Sequence, residues 1–163
     1  VSEKTYNVLF LCTGNSARSV MAEALVNHLA PDKFRAYSAG SHPKGTVHPY
    51  ALEVLRNFQV PTEGLHSKSW EAFTRPGAPL IDFIFTLCDD AAREPCPLWP
   101  GHPVTAHWGL PDPAAVEGTD ETKRLAFVET LRMLRRRLDP FTQLPCGALD
   151  RLLLQQDMDA TEQ

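Results

Sequence analysis

Apolar and polar positions follow two rhythms along this chain. Short apolar runs of strand length occupy Asn7 to Leu11, Phe34 to Ser38, Ile81 to Leu87 and Val104 to His107. Between and after them lie helical stretches at Ser19 to Leu29, Pro49 to Phe58 and Thr119 to Leu138. The last carries Leu125, Val128, Leu131, Leu134 and Leu138 along one face. Thr119 followed by Glu121 and Thr122 marks its start, and Asp139-Pro140 is read as its stop. Ala148 to Leu154 reads as a short docking helix, with a frayed polar tail from Gln155 to Gln163. Strands alternating with helices predict an α/β architecture with a mainly parallel sheet. Crossovers in such sheets are right-handed, and ligands gather outside the C-terminal ends of the strands.

One of those ends carries the chain's most informative segment. Cys12-Thr13-Gly14-Asn15-Ser16-Ala17-Arg18-Ser19 follows the first apolar run and precedes the first helix. Five residues between Cys12 and Arg18 let the loop curl round one tetrahedral oxyanion, so that backbone N–H groups, a helix N-terminus and a guanidinium converge on it. Gly14 and Asn15 tolerate the left-handed backbone of a tight anion nest, and Ser16 and Ser19 offer hydroxyl donors. The same positive field favours the thiolate of Cys12, a nucleophile aimed at the bound anion.

Composition narrows the setting. A chain of 163 residues with 43% hydrophobic content suffices for one domain spanning 1–163, with a core from about 5 to 140 and a C-terminal extension from about 141 to 163. Neither a membrane span nor a secretory signal is indicated, so a soluble cytoplasmic protein is expected. A net charge of −4 argues against nucleic-acid or anionic-membrane binding, and Arg135-Arg136-Arg137 reads as the solvated face of a helix. Four cysteines, at 12, 88, 96 and 146, read as chemistry or metal binding before structural disulfides.

Prolines at 95, 97, 100, 103, 111 and 113 leave only short pieces of regular structure between the third strand and the third helix of the pattern, and produce a rigid, irregular flap that carries Cys96 and Asp112. A thiolate that displaces oxygen from an oxyanion needs an acid to protonate the leaving group, and Asp112, held by Pro113, is the candidate. The alternative for Asp112 is a simple turn aspartate before proline. Cys88 ends a strand on the same sheet edge as Cys12, and Cys96 follows after a stretch, Asp89 to Pro95, long enough for one or two helical turns. The loop of residues 41 to 47, Ser-His-Pro-Lys-Gly-Thr-Val, is placed to overhang the anion site.

The segment from Asn7 to Ala22 resembles the anion loop of low-molecular-weight tyrosine phosphatases and of the arsenate reductases built on the same scaffold. Tyr37-Ser38-Ala39-Gly40, Phe85 to Ala92 and His107 to Ala114 extend the resemblance to the reductase branch, over most of the chain from residue 5 to about 140. The resemblance implies a three-layer α-β-α fold on a four-stranded sheet, with residues 13 to 19 cradling the oxyanion and Asp112 as general acid. It also implies a thiol relay through Cys12, Cys88 and Cys96, in which attack of Cys88 on the Cys12 adduct releases arsenite and Cys96 passes the oxidation outward. Such exchange needs short Cα separations, so residues 89 to 95 must move. Arsenate is then the substrate, with phosphate or sulfate as mimics. No bound cofactor or metal is expected, and an external dithiol, thioredoxin or a glutathione and glutaredoxin couple, regenerates the thiols. Ala17 stands where some members have a further cysteine, and the stretch from Cys88 to Cys96 is one residue longer than in some relatives. Some members bind a monovalent cation through residues matched by Asn15, Glu23 and Ser38; Lys68 stands where they have an acid, so its ammonium is expected to take the ion's place.

Two other readings compete. A tyrosine phosphatase of the same scaffold would place aromatic residues after the Asp-Pro pair, where this chain has Ala114-Ala115. A metal or redox-sensing protein would use Cys88, Cys96, His102 and His107, whose spacing lacks the close Cys-x2-Cys pairing of common zinc sites. Cys146 reads as a bystander thiol, His28, His48 and His66 as surface or packing residues, and Trp108 as packing beneath the acid loop.

Overall fold

The computed structural model describes residues 5–88 and 103–162, with side chains up to residue 155. Strands β1 (Tyr6–Leu11), β2 (Phe34–Ala39), β3 (Phe83–Thr86) and β4 (Val104–His107) form one parallel sheet in the order β2-β1-β3-β4. Helices α1 (Arg18–Leu29), α2 (Pro49–Asn57), α3 (Asp120–Thr142) and α4 (Cys146–Glu162) flank it. Cα partners run from Tyr6 with Phe34 to Leu11 with Ala39, and from Val8 with Phe83 to Leu11 with Thr86. The α/β expectation and its parallel sheet therefore hold.

The period of two along β1 sorts its side chains. Tyr6, Val8 and Phe10 join the larger core with Met21 and Leu25 of α1, Val54 and Leu55 of α2, Leu131 and Leu134 of α3, and Leu149 of α4. Leu9 and Leu11 face the other side, where Ile84 and Phe73 of a 3₁₀ turn, Trp70–Phe73, cover them. With β1 buried on both faces, its unbroken apolar run is explained. This order fixes the ends of β1 and β3 side by side, which positions the site.

Two helix ends depart furthest from the sequence pattern. Helix α3 continues through Pro140 to Thr142. Proline removes one donor and crowds the preceding turn, but Phe141 is buried here, its ring 4.9 Å from Phe34, 5.4 Å from Phe83 and 5.1 Å from Phe85. Aromatic burial outweighs the local preference, and the Lys33 ammonium caps the helix end by donating to the carbonyls of Thr142 at 2.9 Å and Leu144 at 2.6 Å. Helix α4 begins at Cys146, two residues before the expected start, and runs to Glu162 through the polar end read as a tail. Tyr6 anchors it: the phenol donates to Asp150 Oδ1 at 2.7 Å, and the Cys146 carbonyl lies at 3.2 Å. Burial, with the Asp150 carboxylate second, holds the Tyr6 phenol above its ordinary ionisation range. Trp108 stacks on Phe85 at 4.2 Å, as a packing residue before the acid loop should.

Candidate active site

Cys12 emerges from the end of β1 almost wholly buried, at 3% exposure. The chain then turns through Asn15, whose φ of +46° is left-handed, and enters α1 at Arg18. Asparagine tolerates that conformation better than most residues, and its side chain repays the strain with two bonds. Asn15 Oδ1 accepts from the Lys68 backbone N–H at 2.8 Å, and Asn15 Nδ2 donates to Ser19 Oγ at 2.8 Å. Ser19 Oγ lies 2.9 Å from Cys12 Sγ, a hydroxyl in place to donate to a thiolate. A buried polar chain thus runs from the 67–70 segment to the nucleophile.

Gly40 explains why Ser-Ala-Gly follows the second strand. A Cβ there would lie 2.4 Å from the Thr13 carbonyl oxygen and 2.8 Å from that of Cys12, so only glycine lets β2 approach the anion loop. The segment after it is laced to that loop by backbone bonds: His42 N to Thr13 O at 2.9 Å, Lys44 N to Gly14 O at 2.9 Å and His48 N to Ser16 O at 2.8 Å. The 41–47 loop borders the site as expected, and His42 and Lys44 line the cavity.

The cavity measures about 260 Å³ and is walled by Cys12, the loop through Arg18, His42, Lys44 and Asp112. Arg18 Nη1 donates to the Leu110 carbonyl at 3.0 Å, and Nη2 lies 3.9 Å from Asp112 Oδ2. Asp112 also accepts from the Ala114 N–H at 3.0 Å, capping the 3₁₀ turn Pro113–Ala115. The Asp-Pro pair therefore fixes a carboxyl over the anion loop. This is a turn aspartate as well as a cavity residue, so the two readings of Asp112 describe one geometry.

Cys88, 5% exposed, packs directly against Cys12. Thr13 Oγ1 lies 3.4 Å from Cys88 Sγ. Parallel pairing of β1 with β3 produces this contact, since Leu11 is in register with Thr86 and Leu87 N donates to Leu11 O at 2.8 Å. Cys96 and His102 fall outside the described residues. Cys146 lies at the start of α4, by the first residue of β1 and so at the opposite end of the sheet. Among the described residues no group of three His, Cys, Asp or Glu side chains is disposed to hold a metal ion, and His107 Nδ1 pairs with Thr86 Oγ1 at 2.8 Å.

Beneath the loop, Ser38 Oγ donates to Glu23 Oε1 at 2.7 Å, and Lys68 Nζ lies 3.7 Å from the same oxygen while donating to His66 O at 3.0 Å. Burial pushes Glu23 up and Lys68 down toward their neutral forms; the Ser38 bond and the mutual attraction of the pair oppose it. Asn15, Glu23, Ser38 and Lys68 are thus gathered in one place. Sequence reasoning missed His42 and Lys44 as site residues, although two basic side chains just after Ser-Ala-Gly were the available signal. The Leu110 carbonyl, a backbone partner, left no signal in residue type.

Comparison with known proteins agrees with this geometry. Residues 7–151 match the family model described as low molecular weight phosphotyrosine protein phosphatase. The arsenate reductase of Shouchella clausii is 36% identical over 136 residues, covering 83% of this chain and 94% of the relative. That of Bacillus licheniformis is 36% identical over 143 residues, covering 88% and 98%. Among solved structures, a thioredoxin-dependent arsenate reductase of Corynebacterium glutamicum superposes with a TM-score of 0.61 at 29% identity, over 88% of this chain and 64% of that one. A low molecular weight tyrosine phosphatase of T. tengcongensis shares the fold, with a TM-score of 0.62 at 22% identity. Among the described residues no helix is long and apolar enough to cross a membrane.

Proposed function

The chain belongs to the low molecular weight phosphotyrosine protein phosphatase family, on the side of the bacterial arsenate reductases, and we propose that it reduces arsenate to arsenite through a relay of thiols. The observation that carries this reading is the second buried thiol: Cys88 packs on Cys12, the cysteine that lines the anion cavity. Hydrolysis of a phosphate ester has no use for it.

The chemistry follows from the positions. The oxyanion sits in the loop of Thr13, Gly14, Asn15, Ser16, Ala17, Arg18 and Ser19, where N–H groups and the Arg18 guanidinium neutralise it. The Cys12 thiolate attacks arsenic, an As–O bond breaks, and Asp112 protonates the departing oxygen, which leaves as water. The Cys88 thiolate then attacks Cys12 Sγ. As the S–S bond forms, the S–As bond breaks and its electron pair goes to arsenic, which leaves as trivalent arsenite while two thiols have been oxidised to one disulfide. Attack of a Cys96 thiolate on Cys88 Sγ frees Cys12 and produces a Cys88 to Cys96 disulfide. An external dithiol returns both to thiols; thioredoxin is the proposed donor, with a glutathione and glutaredoxin couple as the other candidate. Lys68 serves as an internal cation beside Glu23, so that the anion loop is supported without a bound ion.

A phosphate monoester enters the same nest: the Cys12 thiolate attacks phosphorus, the P–O bond to the alcohol breaks with Asp112 protonating the departing alcohol, and water then hydrolyses the phosphocysteine, which yields a slow phosphatase side activity. The test is arsenite release from arsenate with reduced thioredoxin, thioredoxin reductase and NADPH, run beside hydrolysis of para-nitrophenyl phosphate. Arsenate-dependent NADPH oxidation supports the proposal. Hydrolysis without arsenite from any thiol donor contradicts it.

A further inference from the structure

The rim of the cavity over Cys12 holds two cationic side chains of different character. Arg18 is engaged by the Leu110 carbonyl and Asp112. Lys44 also lines the cavity, but no carboxylate pairs with its ammonium among the described residues. Its backbone is nonetheless fixed, because Lys44 N donates to Gly14 O at 2.9 Å. The next residue is held as well: Gly45 N donates to Ser67 Oγ at 3.1 Å, and Ser67 Oγ donates to the same Gly14 oxygen at 3.2 Å. The stem of the lysine lies on the anion loop itself, since a Cβ at Gly14 would meet Lys44 Cε at 3.2 Å and Cγ at 3.4 Å. An aliphatic stem laid on backbone with a charged head at the cavity mouth is how lysine covers a surface while keeping its charge in reach of solvent and ligand.

This geometry bears on which oxyanion the site prefers. A tetrahedral anion seated in the nest turns three oxygens to the N–H groups and Arg18, and its fourth points out through the mouth. In inorganic arsenate or phosphate that fourth oxygen, the one Asp112 protonates as it departs, keeps lone pairs that can also accept a hydrogen bond. In an ester it carries carbon, whose bulk must pass the rim and strip water from the Lys44 ammonium. We infer that Lys44, seated on Gly14 at the cavity mouth, is a selectivity residue that binds the outward oxygen of a free oxyanion and thereby favours inorganic arsenate over organic monoesters. The inference rests on the arsenate reading for its substrate. Loop fixation makes the contact effective, because the ammonium is brought to the mouth before the ligand arrives. Selectivity then resides in the ratio between two substrates of one nest.

The test compares Lys44→Met, which keeps the stem and removes the charge, with Lys44→Arg, which keeps the charge. Inorganic phosphate and arsenate affinities are read from protection of Cys12 against iodoacetamide, followed on the Cys12 peptide by mass spectrometry. The ratio of kcat/KM for arsenate reduction to that for para-nitrophenyl phosphate hydrolysis is measured on the same preparations. A charge-assisted bond at a partly solvated rim corresponds to about a 10-fold change. Lys44→Met should therefore weaken phosphate and arsenate protection about 10-fold and lower the ratio by about the same factor, with the loss in KM; Lys44→Arg should recover most of it. Unchanged protection, or an equal loss for both substrates, overturns the inference. A Lys44-dependent phosphate affinity in a wild-type protein that forms no arsenite supports the role of Lys44 and instead overturns the arsenate reading.

Discussion

At the C-terminal edge of the sheet three buried side chains are polar: Asn15, Ser19 and Ser38 are each fully buried, and each spends its hydrogen bonds on Cys12, Glu23, Lys68 or one another. At the N-terminal edge, where β1, β2 and β3 begin, Tyr6, Phe34 and Phe83 meet Phe141 of α3 in a cluster of rings, and Tyr6 and Lys33 fasten the C-terminal helices. The contrast is one of directionality. Hydrogen bonds fix angles and distances and so hold a nucleophile in place, whereas ring burial is large but tolerant of small shifts. Substitutions at the first edge should cost activity more than stability, and at the second stability more than activity.

The sharpest way to break that contrast is at the acid. Asp112→Asn keeps the Ala114 cap acceptor but cannot supply a proton, so arsenate turnover should fall roughly 10²- to 10⁴-fold while the protein unfolds at nearly the wild-type denaturant concentration. A large loss of stability with modest loss of rate would make Asp112 structural. At the other edge, Lys33→Met removes two charge-assisted bonds, to the last carbonyl of α3 at Thr142 and to Leu144 just beyond it. It should cost about 1.5–3 kcal/mol of unfolding free energy in urea titration with activity unchanged. An equal loss of activity would mean that the two edges are coupled.

A smaller effect joins the regions. His48 caps α2 by accepting from Tyr50 N at 3.1 Å, and packs on Phe127 at 4.6 Å. Burial first, then the Lys44 charge, hold its imidazole below the ordinary histidine range, against a weaker opposing pull from Asp112. Since the folded value is depressed, the stability linked to neutral His48 is complete above about pH 6.5 and is lost as pH falls through the folded value. His48→Asn keeps a capping acceptor and does not titrate, so the drop in urea midpoint between pH 7 and pH 5 should be smaller than in the wild type. The smallest expectation is a null one: with Lys68 beside Glu23, potassium should leave the arsenate KM unchanged, and a potassium-dependent fall in KM would show that the ammonium does not stand in for an ion.

What the sequence made legible was local. Strand, anion loop and helix are contiguous, so the pattern from Val8 to Leu25 carries its own geometry, and the convergence of Cys12 with Cys88 follows once β1 and β3 are taken as neighbours. What it hid depends on contacts between distant segments. Gly40 matters because Thr13 approaches it, Arg18 because the Leu110 carbonyl receives it, and Pro140 is tolerated because Phe34, Phe83 and Phe85 receive Phe141. The C-terminal extension similarly makes sense only beside Tyr6, whose phenol bonds Asp150 and the Cys146 carbonyl from the far end of the sequence.

If two adjacent buried thiols divide one site between two chemistries, Cys88→Ser must separate them. With thioredoxin, its reductase and NADPH, this variant should form no arsenite in repeated turnover, yet hydrolyse para-nitrophenyl phosphate at close to the wild-type rate, because only reduction needs the second sulfur. Sustained arsenite formation by Cys88→Ser would contradict the relay.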